Sequence, residues 1–386
     1  MARRGRWQTA AEVLNLMARR PGITRAAVAK ELRLSTSSAT EVTARLREFS
    51  LLSELPAPIH GRGRPTTVLQ AHPHGPLVLV LDLRQGTWRS AIAQLDGTLE
   101  LQQTTRHRSR RPDSVLASFR ETVIAAQQQY GDRLVAVTLA VVGSVRGNQL
   151  LQAATLGWRD VDLSPVVEGT GLPLLAGNDA TLSGVAEART GAAAGAGTAL
   201  HLIVEVGVGG TLILGGVPAG GATGTGGEYG HMPFGDRSVL CPCGARGCWD
   251  LEIDGRALAR RLGEPEPDDP YGYAEDVLRR PPSPATRSAI ELVTAALGSG
   301  IAGLVNAHDP EVVTLGGLAV PLRAAAPEAF ERGYRESLMQ FRRAAPPPVL
   351  DSAHSEDGVL RGAAALGLDH LTTESALTAW AETHAP

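Results

Sequence analysis

All three cysteines of the chain, Cys241, Cys243 and Cys248, fall within eight consecutive positions, and His231 stands ten residues before the first. One nitrogen and three sulfurs complete a tetrahedral donor set for Zn²⁺. A filled set leaves no open position for a reacting water, so the implied metal is structural. Gly244 and Gly247 permit the sharp reversal that brings Cys248 back to the other two. The competing chemistry is a reactive thiol pair, for which a histidine and three cysteines are more than the task needs. Three thiols cannot pair into an even disulfide framework.

A second constellation has the chemistry of hydroxyl recognition. Asn178, Asp179 and Glu228 together accept and donate to several hydroxyls at once, as sugar binding requires. Asn178 and Asp179 also read as a helix N-cap, and both roles are expected together. Eleven glycines between Gly207 and Gly230 would let backbone amides approach a sugar or a phosphate closely. Glycine richness alone is a weak signal, and a tight hairpin accounts for part of it.

These residues must be positioned by the body of the chain, where apolar strands alternate with helices from Gly75 onward. "PLVLVLDL" (76–83), "RSAIAQL" (89–95), "LVAVTLAVV" (134–142), "LPLLAG" (172–177), "ALHLIVEV" (199–206), "TLILGG" (211–216) and "EVVTLGG" (311–317) read as strands. Residues 112–130, 179–190, 285–306 and 356–368 read as helices. The alternation predicts an α/β body of two lobes with a boundary near Asp179 and a ligand between them. Residues 263–284 read as a flexible insertion without a role, and the tail after Leu371 carries no signal.

Ahead of the body lies a basic head. Residues 1–70 hold twelve Arg and Lys against five Glu, a charge of +7; with −3 for the whole chain, −10 falls on the rest. The asymmetry predicts that only the head meets a polyanion. Ala10, Val13, Leu14 and Met17 share a helical face, Val28 and Leu32 anchor a second helix capped by Thr24, and Ala39, Val42, Leu46 and Phe49 line a third. This is the spacing of a helix-turn-helix, and it leaves Ser37, Ser38, Thr40, Glu41 and Arg45 outward on the third helix to meet base edges and phosphates of double-stranded DNA. Two extended runs, 51–55 and 66–70, flank a tip bearing Arg62 and Arg64, which reads as a wing reaching a minor groove. Ser50 stands where such a fold favours a left-handed glycine.

At 386 residues with 43% hydrophobic and 20% charged side chains, the chain suits a globular protein with sizeable cores. The longest apolar run, 134–145, is too short to span a bilayer, and the first residues lack the apolar core of a signal peptide. No membrane partner is expected, and a cytoplasmic location follows by default.

"GGEYGHMPFG" followed by "CPCGARGC" resembles the ROK family of sugar kinases, open reading frames and repressors, as do "GNDATLSGVAEAR" (177–189) and "TLGGL" (314–318). The resemblance covers about residues 76–370 and implies an actin-like, ribonuclease H-like fold. It divides the chain into a winged helix-turn-helix at 1–70, a linker at 71–75, a first lobe at 76–178 with a C-terminal helix at 356–370, and a second lobe with the zinc site at 179–355. It also implies that Asn178, Asp179, Glu228, His231 and Asp250 face a sugar, His231 serving the metal as well; Asp250 stands where the family usually has Glu. In family kinases the residue matching Asp179 is the general base.

One departure bears on activity. The family's phosphate turn, Asp-x-Gly-Gly-Thr, is replaced here by "DLRQGT", with Arg84 and Gln85 where the glycine pair begins, and Val208 stands where kinases commonly carry Thr. Loss of the cradle should abolish phosphoryl transfer. The reading is therefore a sugar-responsive, non-enzymatic repressor, a homodimer or dimer of dimers on a DNA operator. The alternatives are a sugar kinase with an appended DNA-binding head and a zinc-stabilised carbohydrate-binding module.

Overall fold

The computed structural model describes residues 7–56, 67–107, 109, 111–281 and 283–384. The head begins with α1 (Gln8–Arg19), which buries Ala10, Val13, Leu14 and Met17 as their spacing requires. In α2 (Arg25–Glu31) the Thr24 hydroxyl caps the Ala27 amide at 3.2 Å. Ser35 caps α3 (Thr36–Glu48) through the Ser38 amide at 3.0 Å. The inner face of α3 differs from the expected one. It buries Ala39, Thr43 and Leu46, while Val42 and Phe49 are half-buried against the core rim. Thr43 is tolerated there because its hydroxyl donates to the Ala39 carbonyl at 2.9 Å. Ser50 adopts φ 55°, the left-handed turn expected of it. From it the chain enters β1 (Leu52–Pro56), antiparallel to β2 (Thr67–Ala71). The described head thus consists of three helices and two antiparallel strands; the expected wing tip with Arg62 and Arg64 lies outside the described residues.

The first lobe is built on β3 (Leu77–Leu83), β4 (Thr87–Gln94), β5 (Leu99–Arg106), β6 (Leu134–Val141) and β10 (Leu174–Asn178). Their order is β10-β6-β3-β4-β5, with β3, β6 and β10 mutually parallel and β4 and β5 antiparallel. Every residue of β3 is buried, because helices cover both faces. One cover is α4 (Pro112–Tyr130), whose Phe119 packs edge-on against Trp88 at 5.2 Å. A small sheet of β7 (Ser144–Arg146), β8 (Gln149–Ala153) and β9 (Trp158–Asp162) extends from the lobe.

The second lobe follows α5 (Asp179–Thr190). Its sheet comprises β11 (Thr198–Glu205), β12 (Gly207–Leu214), β13 (Val217–Pro218), β14 (Val312–Gly317) and β15 (Val349–Asp351), ordered β13-β12-β11-β14-β15. One face carries α6 (Gly255–Leu262), α7 (Pro270–Arg279), α8 (Pro284–His308), α9 (Ala319–Ala325) and α10 (Pro327–Ser337). The segment expected to be a flexible insertion thus contains α7, with Asp269 capping the Gly272 amide and Ala274 and Val277 buried in the lobe's core. The four-residue spacing of Tyr273 and Val277 with Ala274 was hidden among prolines and acids. Among the described residues one helix, α8, is long and apolar enough to cross a membrane; 56% of its apolar window is buried inside the protein.

Two helices sit between the sheets: α5, and α11 (Gly358–Leu371), which returns to pack on β3 and β6. They approach closely because Gly362 lies over the Leu182 carbonyl, where a Cβ would come within 1.8 Å of its oxygen. The tail then forms α12 (Glu374–Thr383), whose Leu377, Trp380 and Ala381 share one core with Trp7, Leu14 and Leu46 of the head and Val78 and Val80 of the first lobe. Trp380 Nε1 donates to the Phe49 carbonyl at 2.8 Å, and Thr372 Oγ1 to Asn15 Oδ1 at 3.1 Å. The expected linker is a tight turn, closed by the Gly75 amide on the His72 carbonyl at 2.8 Å. The head is packed on the body, not tethered to it.

Candidate ligand and metal site

The strands β6, β10, β11 and β12 end at a cleft between the lobes, a cavity of about 310 Å³. Asn178, Asp179, Glu228, His231 and Asp250 all line it. Asn178 closes β10 and caps α5: its Oδ1 accepts the Thr181 amide at 2.9 Å, and its Nδ2 donates to the Gly143 carbonyl and to Asp179 Oδ1, both at 3.0 Å. The cap and the cleft roles therefore coincide. Burial, then the neighbouring Glu205 and Asp82 carboxylates, push the Asp179 carboxyl up to about 8. Burial also raises Glu205 above its usual range, with Asp82 and Glu356 adding to the shift.

Glu228 begins a single 3₁₀ turn, Tyr229–His231, and its Oε1 accepts the Ser144 hydroxyl at 2.5 Å, joining the second lobe to the first. His231 is 31% exposed, with Nδ1 at 3.4 Å from Asp250 Oδ2 and Nε2 at 4.0 Å from Glu228 Oε2. Asp250 is drawn back into the protein. Its Oδ1 accepts the Val208 amide at 2.7 Å, and its carboxyl rests against the Cα atoms of Gly207 and Gly230, where no side chain would fit. It can offer the cleft only the other oxygen.

Behind His231 the metal donors converge. Cys243 and Cys248 Sγ are 3.6 Å apart, Cys241 Sγ is 3.9 Å from His231 Nδ1, and all four donor atoms lie within 4.8 Å of one another. Zinc–sulfur bonds of about 2.3 Å and zinc–nitrogen bonds of about 2.0 Å give tetrahedral edges of roughly 3.5–3.8 Å, so the set fits such an ion. Gly244 and Gly247, at φ 98° and 73°, make the reversal. All three thiols are free, and burial pushes Cys248 up to about 12, the opposite of what a reactive cysteine requires. A Cys₃His cluster able to hold a metal ion is therefore present.

The turn after β3 is filled by side chains. Arg84 Nε and Arg89 Nε and Nη2 converge on Asp82 Oδ2 at 3.0, 3.0 and 2.9 Å, and both guanidinium groups donate to the Glu356 carbonyl. Arg84 also reaches Glu205 of the second lobe at 3.9 Å, and Arg89 reaches Asp357 at 3.3 Å. Asp82 is fully buried, and burial alone makes such a carboxylate dependent on its cations. Sequence reading missed Glu205, Ser144 and Thr155 of this site; a polar residue ending the apolar strand "ALHLIVE" was the available signal for Glu205.

On the head, Ser37 and Thr40 are exposed on α3, although the Thr40 hydroxyl donates to the Thr36 carbonyl at 2.8 Å. Ser37 and Ser38 both approach the Ser35 hydroxyl at 2.8 Å. Arg45, expected to face outward, is half-buried with its guanidinium 5.4 Å from the Trp7 ring centre, because an aromatic face attracts a cation. Arg47, overlooked in the sequence, is exposed near the end of the same helix.

Comparison with known proteins supplies relatives of two kinds. The xylose repressor of Bacillus subtilis is 24% identical over 304 residues, covering 76% of this chain and 77% of that protein. A glucokinase of Streptomyces coelicolor is 27% identical over 226 residues, covering 53% of this chain and 71% of its own. Among solved structures, a ROK family transcriptional regulator described as a homologue of the E. coli MLC protein superposes with a TM-score of 0.73 at 23% identity, covering 96% of this chain and 97% of that one. The alignment takes in the head as well as both lobes. Residues 82–370 match the ROK family, and the chain belongs to it.

Proposed function

We propose that this protein is a sugar-responsive transcriptional repressor of carbohydrate-metabolism genes. A sugar binds between the lobes, and the head reads a double-stranded DNA operator as part of a homodimer or dimer of dimers. The observation that carries the reading is Arg84. Its guanidinium stands in the turn where a kinase needs bare backbone amides around a phosphate, and it is held there by Asp82, Glu205 and the Glu356 carbonyl. The pocket keeps the carboxylates and amide that suit hydroxyls, while the seat for a nucleotide is filled by the chain itself.

Zn²⁺ on His231, Cys241, Cys243 and Cys248 would be structural. It would hold the Glu228–His231 turn at the cleft, so that the second-lobe contacts to the ligand move as one body. The sugar draws Asn178 and Asp179 at the start of α5 towards Glu228. The movement passes through the close α5–α11 contact at Gly362 into α12 and the head, biasing one head spacing over another. Ser37, Ser38 and Thr40, with Arg62 and Arg64 of the wing, are the proposed DNA contacts, joined by Arg47.

The test uses a duplex selected by the protein from a random pool, with fluorescence anisotropy in the presence and absence of glucose, xylose and their relatives. A sugar-dependent change in affinity is expected; unchanged DNA binding with every sugar contradicts the sensing role. A kinase reading is favoured by one feature, the Asp179 carboxyl at the cleft, raised to about 8, whose ionised form is a stronger base for a hydroxyl proton than an ordinary carboxylate. Sugar-dependent ADP release lost in Asp179→Asn would establish that reading instead.

A further inference from the structure

The cleft does not end at the residues that would hold one sugar ring. A second cavity of about 430 Å³ adjoins it, and Gln85, Ala154, Thr155, Val206, His231 and Asp250 line both. The first compartment lies at the lower end of the range for small-molecule sites, about 300–1,000 Å³, and the second extends it. The second is walled by Pro242, Arg256, Glu266 and Asp268 of the metal loop and the segment leading into α7. Its polar lining suits a further set of hydroxyls, and no apolar group of the ligand is called for.

Two groups at the junction lack a hydrogen-bond partner among the described residues. The Thr155 hydroxyl oxygen is shielded from solvent without a hydrogen bond, a cost that is relieved when the side chain turns its hydroxyl towards a ligand in the cleft. The half-buried Gln85 side chain, lining both cavities, makes no hydrogen bond among the described residues. Asp250, which also lines both cavities, is held by the Val208 amide at 2.7 Å. Resting on the sugar-binding reading above, we infer that the effector is a disaccharide or comparable glycoside. One ring meets Asn178, Asp179 and Glu228, the glycosidic linkage passes Thr155 and Gln85, and the second ring occupies the compartment beside Arg256 and Glu266.

Isothermal titration of the full chain with glucose and xylose, and with maltose, cellobiose, xylobiose and sucrose, separates the possibilities. At least one disaccharide should bind about tenfold tighter than either monosaccharide, as two or three added hydrogen bonds would give. Asp268→Trp, an exposed position that lines only the second compartment, should remove that advantage and leave monosaccharide binding intact. Glu266→Ala, at a position that lines the second compartment and not the first, should weaken the disaccharide alone by several-fold. Monosaccharides binding as tightly as every disaccharide, or Asp268→Trp weakening both classes equally, overturns the inference while leaving a sugar site in place. Binding of no saccharide of either class overturns the sugar-binding reading itself and this inference with it.

Discussion

At the scale of single residues, Asp179 is where charge and function meet. Its carboxyl is raised from 3.8 to about 8, chiefly by burial and then by Glu205. The folded protein thus keeps a proton that the unfolded chain releases near pH 4, and stability falls as pH rises between those values. Asp179→Asn removes this dependence. The melting temperature of the variant relative to the wild type should rise from pH 5 to pH 8.5, and a constant difference across that range contradicts the shift. The metal donors make a second prediction. Elemental analysis should find one zinc per chain, and Cys248→Ala should abolish it and lower the melting temperature, because metal binding to the thiolates and His231 stabilises only the folded loop that brings them together.

At the scale of elements, the decisive pieces are α11 and α12. Trp380 is 5% exposed, stands in the core shared by head and first lobe, and donates to the Phe49 carbonyl. Trp380→Ala should cost about 3 kcal/mol through the cavity and the lost hydrogen bond. Hydrogen exchange should locate the loosening in residues 7–56 rather than in the second lobe. The α5–α11 contact leads to a different outcome. Gly362→Ala sets a methyl against the Leu182 carbonyl, so the helices must separate, at about 1–3 kcal/mol. The variant should keep its DNA affinity but lose its response to sugar, measured in the same anisotropy assay.

At the scale of the whole molecule, charge is divided between two ends. The head carries +7 and the remainder −10, so only one end is attracted to a polyanion. Operator affinity should therefore fall at least about a hundredfold between 50 and 200 mM salt, whereas sugar affinity should hardly change. Equal salt sensitivity of the two would contradict this division. Because the head is packed on the first lobe by a common core, lobe movement reorients it as a rigid piece. In the proposed dimer, the spacing of paired heads on half-sites one helical turn apart would then report on the cleft.

What the sequence determined by itself was local. The four metal donors, the Asn178 cap, the Thr24 cap, the left-handed Ser50 and the burial of α1 and β3 all follow from spacings of a few residues, over which side-chain types dictate geometry. Most of the first-lobe strands and the long helices were legible for the same reason. The exposed β5, the short α7 and the tail helix were not, since their burial patterns are weak or masked by proline and charge. Only the tertiary structure decided that Arg84 reaches Glu205 and Glu356, that Arg45 turns back to Trp7, and that α12 binds the head. Those contacts join positions tens to hundreds of residues apart. No periodicity in the chain records such partners; the packing of the two lobes and the head around shared cores selects them.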